Sequence, residues 1–124
     1  MWRCVMQENP REMLNDFVNG LDDFSKNEAT KNSIEGFMGL LGATYTEGAL
    51  DVKTKELISI GVSTYNRCLY CIVYHTYKAL EAGAKRDEIL QAAMVAVAFG
   101  GGPTMAYSVT LLKKCIDEFE KDFA

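Results

Sequence analysis

Long apolar runs are missing from this chain. No stretch approaches the roughly 20 residues of a membrane-spanning helix, and the first residues, MWRCVMQENPREM, carry no sustained apolar segment of the kind found in a signal peptide. A cytoplasmic protein with no membrane partner is expected. Strand signals are missing as well: there is no apolar/polar alternation, no hairpin dipeptide pattern and no internal repeat, and only 2 prolines interrupt the chain. An all-α domain is expected. Dense Lys/Arg clusters are lacking too, and a net charge of −4 with a pI near 5.0 argues against nucleic acid as a partner. The glycine run Gly100–Gly102 before Pro103 lacks the lysine and hydroxyl of a phosphate-binding loop, so it reads as a turn and packing device.

What is present fits one ordinary globular domain: 124 residues, 48% hydrophobic and 24% charged, enough for a single core. Asn9 as N-cap and Pro10 at the first turn open a helix to about Ser25, with Met13, Leu14, Phe17, Val18, Leu21 and Phe24 on one face. A second helix covers about Lys31–Ala43, followed by a loop or short turn at Gly42–Gly48. Asp51 then caps a helix carrying Glu56, and apolar residues around most of its circumference mark it as central. The next helix runs from about Arg67 to Glu81 and stops at Gly83, a suitable C′ glycine. Glu88–Phe99 forms a helix apolar nearly all round, which needs more neighbours than so short a chain supplies. Pro103 starts a last helix to about Phe119, and the charged 117–123 end is expected to fray.

The chemistry concentrates between Glu56 and His75. One carboxylate, two cysteines and the only histidine fall at Glu-x11-Cys-x2-Cys-x3-His. At 3.6 residues per turn, Cys68, Cys71 and His75 share one helix stripe, and thiols at i and i+3 are close enough to form a disulfide. His75, i+4 from Cys71, can accept a thiol proton. A turn near Asn66 folds the preceding helix back antiparallel, placing Glu56 and His75 roughly 15 and 14 Å from the turn along their axes, and therefore opposite each other. The thiolate is the nucleophile in thiol chemistry, and a helix N-terminus, Arg67 and a His75–Glu56 pair all act to generate it. Between Val52 and Arg86 six basic residues face two acidic ones, which adds a local positive field. Competing readings are a half metal site, two buried small hydrophobes, or a structural histidine. Tyr70, between the cysteines, is a candidate for substrate contact, whereas Tyr77 reads as packing. Cys4 reads as an incidental terminal thiol and Cys115 as a buried helix residue.

This stretch, with His75-Thr76, the Glu81-Ala82-Gly83-Ala84 turn and the Phe99–Pro103 break, resembles the carboxymuconolactone decarboxylase superfamily in its thiol-containing branch, the alkylhydroperoxidase AhpD-like proteins. The resemblance covers about residues 30–118 and leaves 1–29 as an N-terminal helical extension of one domain. It implies a helical bundle of about six helices with the site on an antiparallel helix pair, and a homo-oligomer, trimer or hexamer, with sites near subunit contacts. The expected activity is a thiol-dependent peroxidase or disulfide oxidoreductase of peroxiredoxin type that requires no cofactor or metal. In it Cys71 attacks a hydroperoxide, Cys68 donates a proton and resolves the sulfenic acid, His75 and Glu56 relay protons, and a dithiol reductant restores the pair. The position that is histidine between the cysteines in some relatives is Tyr70 here. Lactone decarboxylation, whose enzymes generally lack the cysteine pair, and a zinc-binding domain using Cys68, Cys71 and His75 are the alternatives.

Overall fold

A computed structural model describes residues 9–124, and Cys4 lies outside the described residues. The described chain is helical throughout: α1 (Pro10–Lys26), α2 (Lys31–Thr44), α3 (Val52–Tyr65), α4 (Leu69–Glu81), α5 (Arg86–Gly100), α6 (Gly102–Tyr107) and α7 (Lys113–Phe119). A π-helical turn, Ser108–Leu112, joins the last two into one interrupted rod, so the bundle is built from six rods. Within this region the hydroxyls of Ser108 and Thr110 bond the carbonyls of Thr104 and Ala106, a local competitor to the regular ladder.

The caps follow the sequence. Asn9 accepts from the Glu12 amide at 3.0 Å and Asp51 from the Thr54 amide at 2.7 Å. At the end of α4, Gly83 has φ +94° and its amide bonds the Leu80 carbonyl, while the Ala84 amide reaches Ala79, the paired bonds of a Schellman stop. Gly100 is constrained for a different reason. A Cβ there would lie 1.9 Å from Thr104 Oγ1 and 3.1 Å from the Tyr65 ring, so a side chain at this position forces its neighbours to shift.

A single core joins α1, α3, α4, α5 and the last rod. Ile60, Ile72, Ile89, Leu112, Ile116 and Phe119 are fully buried, and Met13 and Leu14 of α1 belong to the same cluster. The N-terminal helix thus contributes two residues to the common core. Tyr77 meets Phe119 and Phe123 edge-on, as expected of a packing residue, and Cys115 is buried.

Two expectations are corrected. The 117–123 end does not fray: Arg11 of α1 bonds Glu118 and Asp122, its guanidinium lies over Phe119, and Arg86 of α5 bonds Asp117 and Glu120. Helix α3 is not buried on most sides. Its buried residues are Glu56, Ser59, Ile60, Ser63 and Thr64, while Ile58, Val62 and Tyr65 are more than half exposed. The small hydroxyl residues can pack inward because each bonds a carbonyl one turn back on its own helix: Ser59 to Lys55, Ser63 to Ser59 and Thr64 to Ile60. Their polar cost is thereby cancelled locally. The displaced apolar face of α3 lines an open groove of about 490 Å³ with Val95 and Phe99 of α5, and α2 has no buried residue at all.

Candidate active site

The α3–α4 turn sets the site. Asn66 closes α3, and Arg67 takes a left-handed backbone (φ +56°) rarely adopted outside glycine, which reverses the chain within two residues. Cys68 follows in extended conformation as the N-cap of α4, and its sulfur accepts from the Cys71 amide at 3.3 Å. The thiol pair thus sits at the positive end of a helix, where an N–H donor supports negative charge on Cys68 sulfur. Cys68 and Cys71 are joined as a disulfide, with Cα atoms 5.2 Å apart.

The antiparallel return brings Glu56 of α3 to His75 of α4. Glu56 Oε1 lies 2.8 Å from His75 Nδ1, with the carboxylate side chain 4% exposed and the imidazole 20%. An imidazole whose Nδ1 donates to a carboxylate presents Nε2 as its basic nitrogen. A cleft of about 330 Å³ is lined by Tyr45, Ile58, Ser59, Val62, Ser63, Asn66, Cys68, Cys71 and His75. The four residues singled out by spacing are therefore brought together: both sulfurs and the imidazole line one cleft, and the carboxylate holds the ring from behind.

Tyr70 is placed elsewhere. Its ring stacks against Phe17 of α1 at 6.4 Å and lines a separate groove of about 320 Å³ with Asp16, Leu21, Phe24 and Ile34. The reason is angular, since one residue before Cys71 is about 100° around the helix from it. The expected substrate contact through Tyr70 finds no counterpart in the dithiol cleft. The basic residues counted near the motif are largely engaged: Lys53 pairs with Glu88, Lys78 with Glu81, and Arg86 with Asp117 and Glu120. Glu81 raises the Lys78 ammonium above its ordinary range. Lys55 is spent on the backbone, bonding the carbonyls of Thr44 and Thr46 at 2.8 and 2.6 Å.

Tyr45 was not visible from spacing. It lies just after α2 and stacks on His75 with ring centroids 5.7 Å apart and planes 21° from parallel, while its hydroxyl bonds Ser59. The short connection between α2 and α3 carries no periodicity from which to read such a residue. Ser59 and Ser63 did leave a signal: with Glu56 they form a polar stripe at spacings of 3 and 4 within an otherwise apolar helix.

The family model for the carboxymuconolactone decarboxylase family matches residues 32–114 of the chain. The chain belongs to this family. Among solved carboxymuconolactone decarboxylase family proteins, lpg0406 of Legionella pneumophila is 32% identical and superposes with a TM-score of 0.83, covering 90% of this chain and 96% of that one. A family protein of Thermotoga maritima, TM1620, is 32% identical with a TM-score of 0.71, covering 90% and 94%. Uncharacterized protein 4 in the cox locus of Paracoccus denitrificans is 32% identical over 74 residues, 60% of this chain and 67% of that protein. The all-helical bundle is the architecture of the solved family members.

Proposed function

We propose that the protein is a thiol-dependent peroxidase and disulfide oxidoreductase that works through Cys68 and Cys71. The observation that carries this reading is the convergence of the cysteine pair, bonded as a disulfide at the start of α4, with a histidine held by a buried carboxylate in one cleft. A redox site of this kind stores two electrons in a sulfur–sulfur bond and needs a base beside the attacking thiol.

In the reduced protein Nε2 of His75 takes the Cys71 thiol proton, and Glu56 stabilises the imidazolium. The Cys71 thiolate attacks the terminal oxygen of a hydroperoxide ROOH. The O–O bond breaks, the proton returns from His75 to the leaving alkoxide, and Cys71 sulfenic acid and ROH result. His75 then takes the Cys68 thiol proton, the Cys68 thiolate attacks the sulfenic sulfur to form the Cys68–Cys71 bond, and that proton joins the departing hydroxide, which leaves as water. A dithiol reductant reopens it. The helix-supported Cys68 sulfur is the better leaving group, so the reductant attacks Cys71 and its second thiol clears the mixed disulfide, leaving reductant disulfide and both protein thiols.

The Thermotoga maritima relative is described as having a possible part in an antioxidative response, which agrees with this reading. The cysteine pair disfavours lactone decarboxylation. A zinc site would need sulfurs that are free of each other, whereas Cys68 and Cys71 are bonded together. A second copy of the chain is the proposed cover for the apolar groove between α3 and α5, where Val95 is 64% and Phe99 82% exposed; light scattering would give the expected trimer or hexamer. No described helix is long and apolar enough to cross a membrane, and the cytoplasm is the proposed compartment.

The deciding experiment is intact mass and peptide mapping of the reduced protein before and after one equivalent of an organic hydroperoxide, with metal content measured on the same sample. Loss of two hydrogens at Cys68–Cys71 is expected. An unchanged mass would refute peroxide reduction, and stoichiometric zinc with protected thiols would replace it with the metal site.

A further inference from the structure

The bond from Glu56 fixes one nitrogen of His75, but a single hydrogen bond leaves the plane of the ring undetermined. The imidazole is also still 20% exposed, so water can compete for that bond. Its plane is set by aromatic neighbours. Tyr74 meets it edge-on at 5.4 Å, and Tyr45 lies nearly parallel to it at 5.7 Å.

Tyr45 is itself anchored from α3. Ser59 Oγ donates its one proton to the Lys55 carbonyl at 2.9 Å, so in the Tyr45–Ser59 bond the phenol must be the donor. Lys55 grips the carbonyls of Thr44 and Thr46, on either side of Tyr45 in the chain. Lys55, Glu56 and Ser59 thus lie within about one turn of α3. That turn holds the carboxylate that bonds the imidazole and also the tethers of the ring that covers it.

We infer that Tyr45 is a positioning residue for His75: its ring, fixed by Lys55 and Ser59, restricts rotation of the imidazole so that Nδ1 stays on Glu56 and Nε2 stays available to the dithiol. The inference rests on His75 acting on Cys71, and it adds a residue from the α2–α3 connection to a site otherwise built on α3 and α4. A tyrosine that served only to pack the connection would leave the tautomer of His75 unchanged.

The chain contains one histidine, so the test has an unambiguous readout. The full-length protein, labelled with ¹⁵N, would be compared with Tyr45→Phe, which keeps the ring and loses the hydroxyl, and Tyr45→Gln, which keeps a polar reach toward Ser59 and loses the ring. Tyr45→Leu is a second ringless variant should Tyr45→Gln not fold. Two quantities are read: the His75 tautomer in the oxidised protein, and the rate at which iodoacetamide modifies Cys71 in the reduced protein, resolved by peptide mass. Loss of the ring is expected to lower the share of the Nδ1–H tautomer and to slow alkylation by about two- to tenfold, the size of one aromatic contact. Tyr45→Phe, whose ring keeps the Lys55 tether and loses the Ser59 one, is expected to fall between the unaltered chain and the ringless variants. A ringless variant indistinguishable from the unaltered chain in its tautomer would overturn the inference, as would a Tyr45→Phe protein as impaired as Tyr45→Gln. Thiols inert in every form would instead count against the redox reading, and the tautomer comparison would still decide the role of Tyr45.

Discussion

Glu56 and His75 stand 19 residues apart in sequence and 2.8 Å apart in space, joined across two antiparallel helices that the Asn66-Arg67 turn folds together. The carboxylate is buried and, among the described residues, its side-chain hydrogen-bond partner is the imidazole, so the pair works as a unit. Glu56→Gln or His75→Gln is expected to slow Cys71 alkylation and peroxide-driven disulfide formation by about 10²-fold or more, the ordinary worth of a positioned base. Rapid-mixing measurements on each variant would check this, and an unimpaired rate in either would remove the relay.

The two cysteines are not equivalent in the proposed sequence of bonds. Cys68→Ser is expected to stop at Cys71 sulfenic acid after one equivalent of hydroperoxide, and to trap a mixed disulfide on Cys71 when a monothiol disulfide is supplied. Cys71→Ser is expected to do neither. Mass spectrometry with a sulfenic-acid trap distinguishes them, and trapping on Cys68 instead would reverse the assignment.

The C-terminal end responds to acid. Lys113 and then Arg86 hold the Asp117 carboxyl below its usual range, Lys121 and Arg11 do the same for Glu118, and Arg11 for Asp122. Carboxyls lowered on folding stabilise the native state fully above their ordinary values, 3.8 for Asp and 4.5 for Glu, and that contribution is lost as pH falls through the lowered values. Thermal melts should show a decline in this acid window that Arg11→Gln makes shallower. The groups are solvated, so added salt should shrink the difference. An identical pH profile for Arg11→Gln would show that these contacts do not contribute.

Gly100→Ala forces a Cβ into the space of Thr104 Oγ1. A loss of about 1–3 kcal/mol is expected from overpacking, measured by denaturant unfolding. Gly36→Ala, in open space within α2, is the control and is expected to be neutral or stabilising. Equal stability of the two variants would contradict the close approach at the α5–α6 break.

Local rules made much of this molecule legible. Asn9, Asp51 and Gly83 mark helix ends because capping is settled by a few neighbouring atoms, and the Glu-x11-Cys-x2-Cys-x3-His spacing converts directly into a shared stripe and an antiparallel meeting. The orientation of α3 was not legible from its apolar count. It carries both an apolar arc and a polar stripe, and hydroxyls that bond their own helix make the polar side as easy to bury as the apolar one. The pinned C-terminal end depends on Arg11, more than 100 residues away, and no local pattern announces such a pairing. Tyr45 escaped for the same reason, since its place over His75 is set by tethers from another helix.

Cys68 is at once the first link of α4 and half of the sulfur bond. In the proposed cycle, electrons entering or leaving the pair arrive where α4 begins, beside the Cys71 amide that bonds Cys68 sulfur. If the pair cycles as proposed, the Cys71 amide loses or regains a sulfur acceptor of altered charge, and its deuterium uptake is expected to differ between the oxidised and reduced protein.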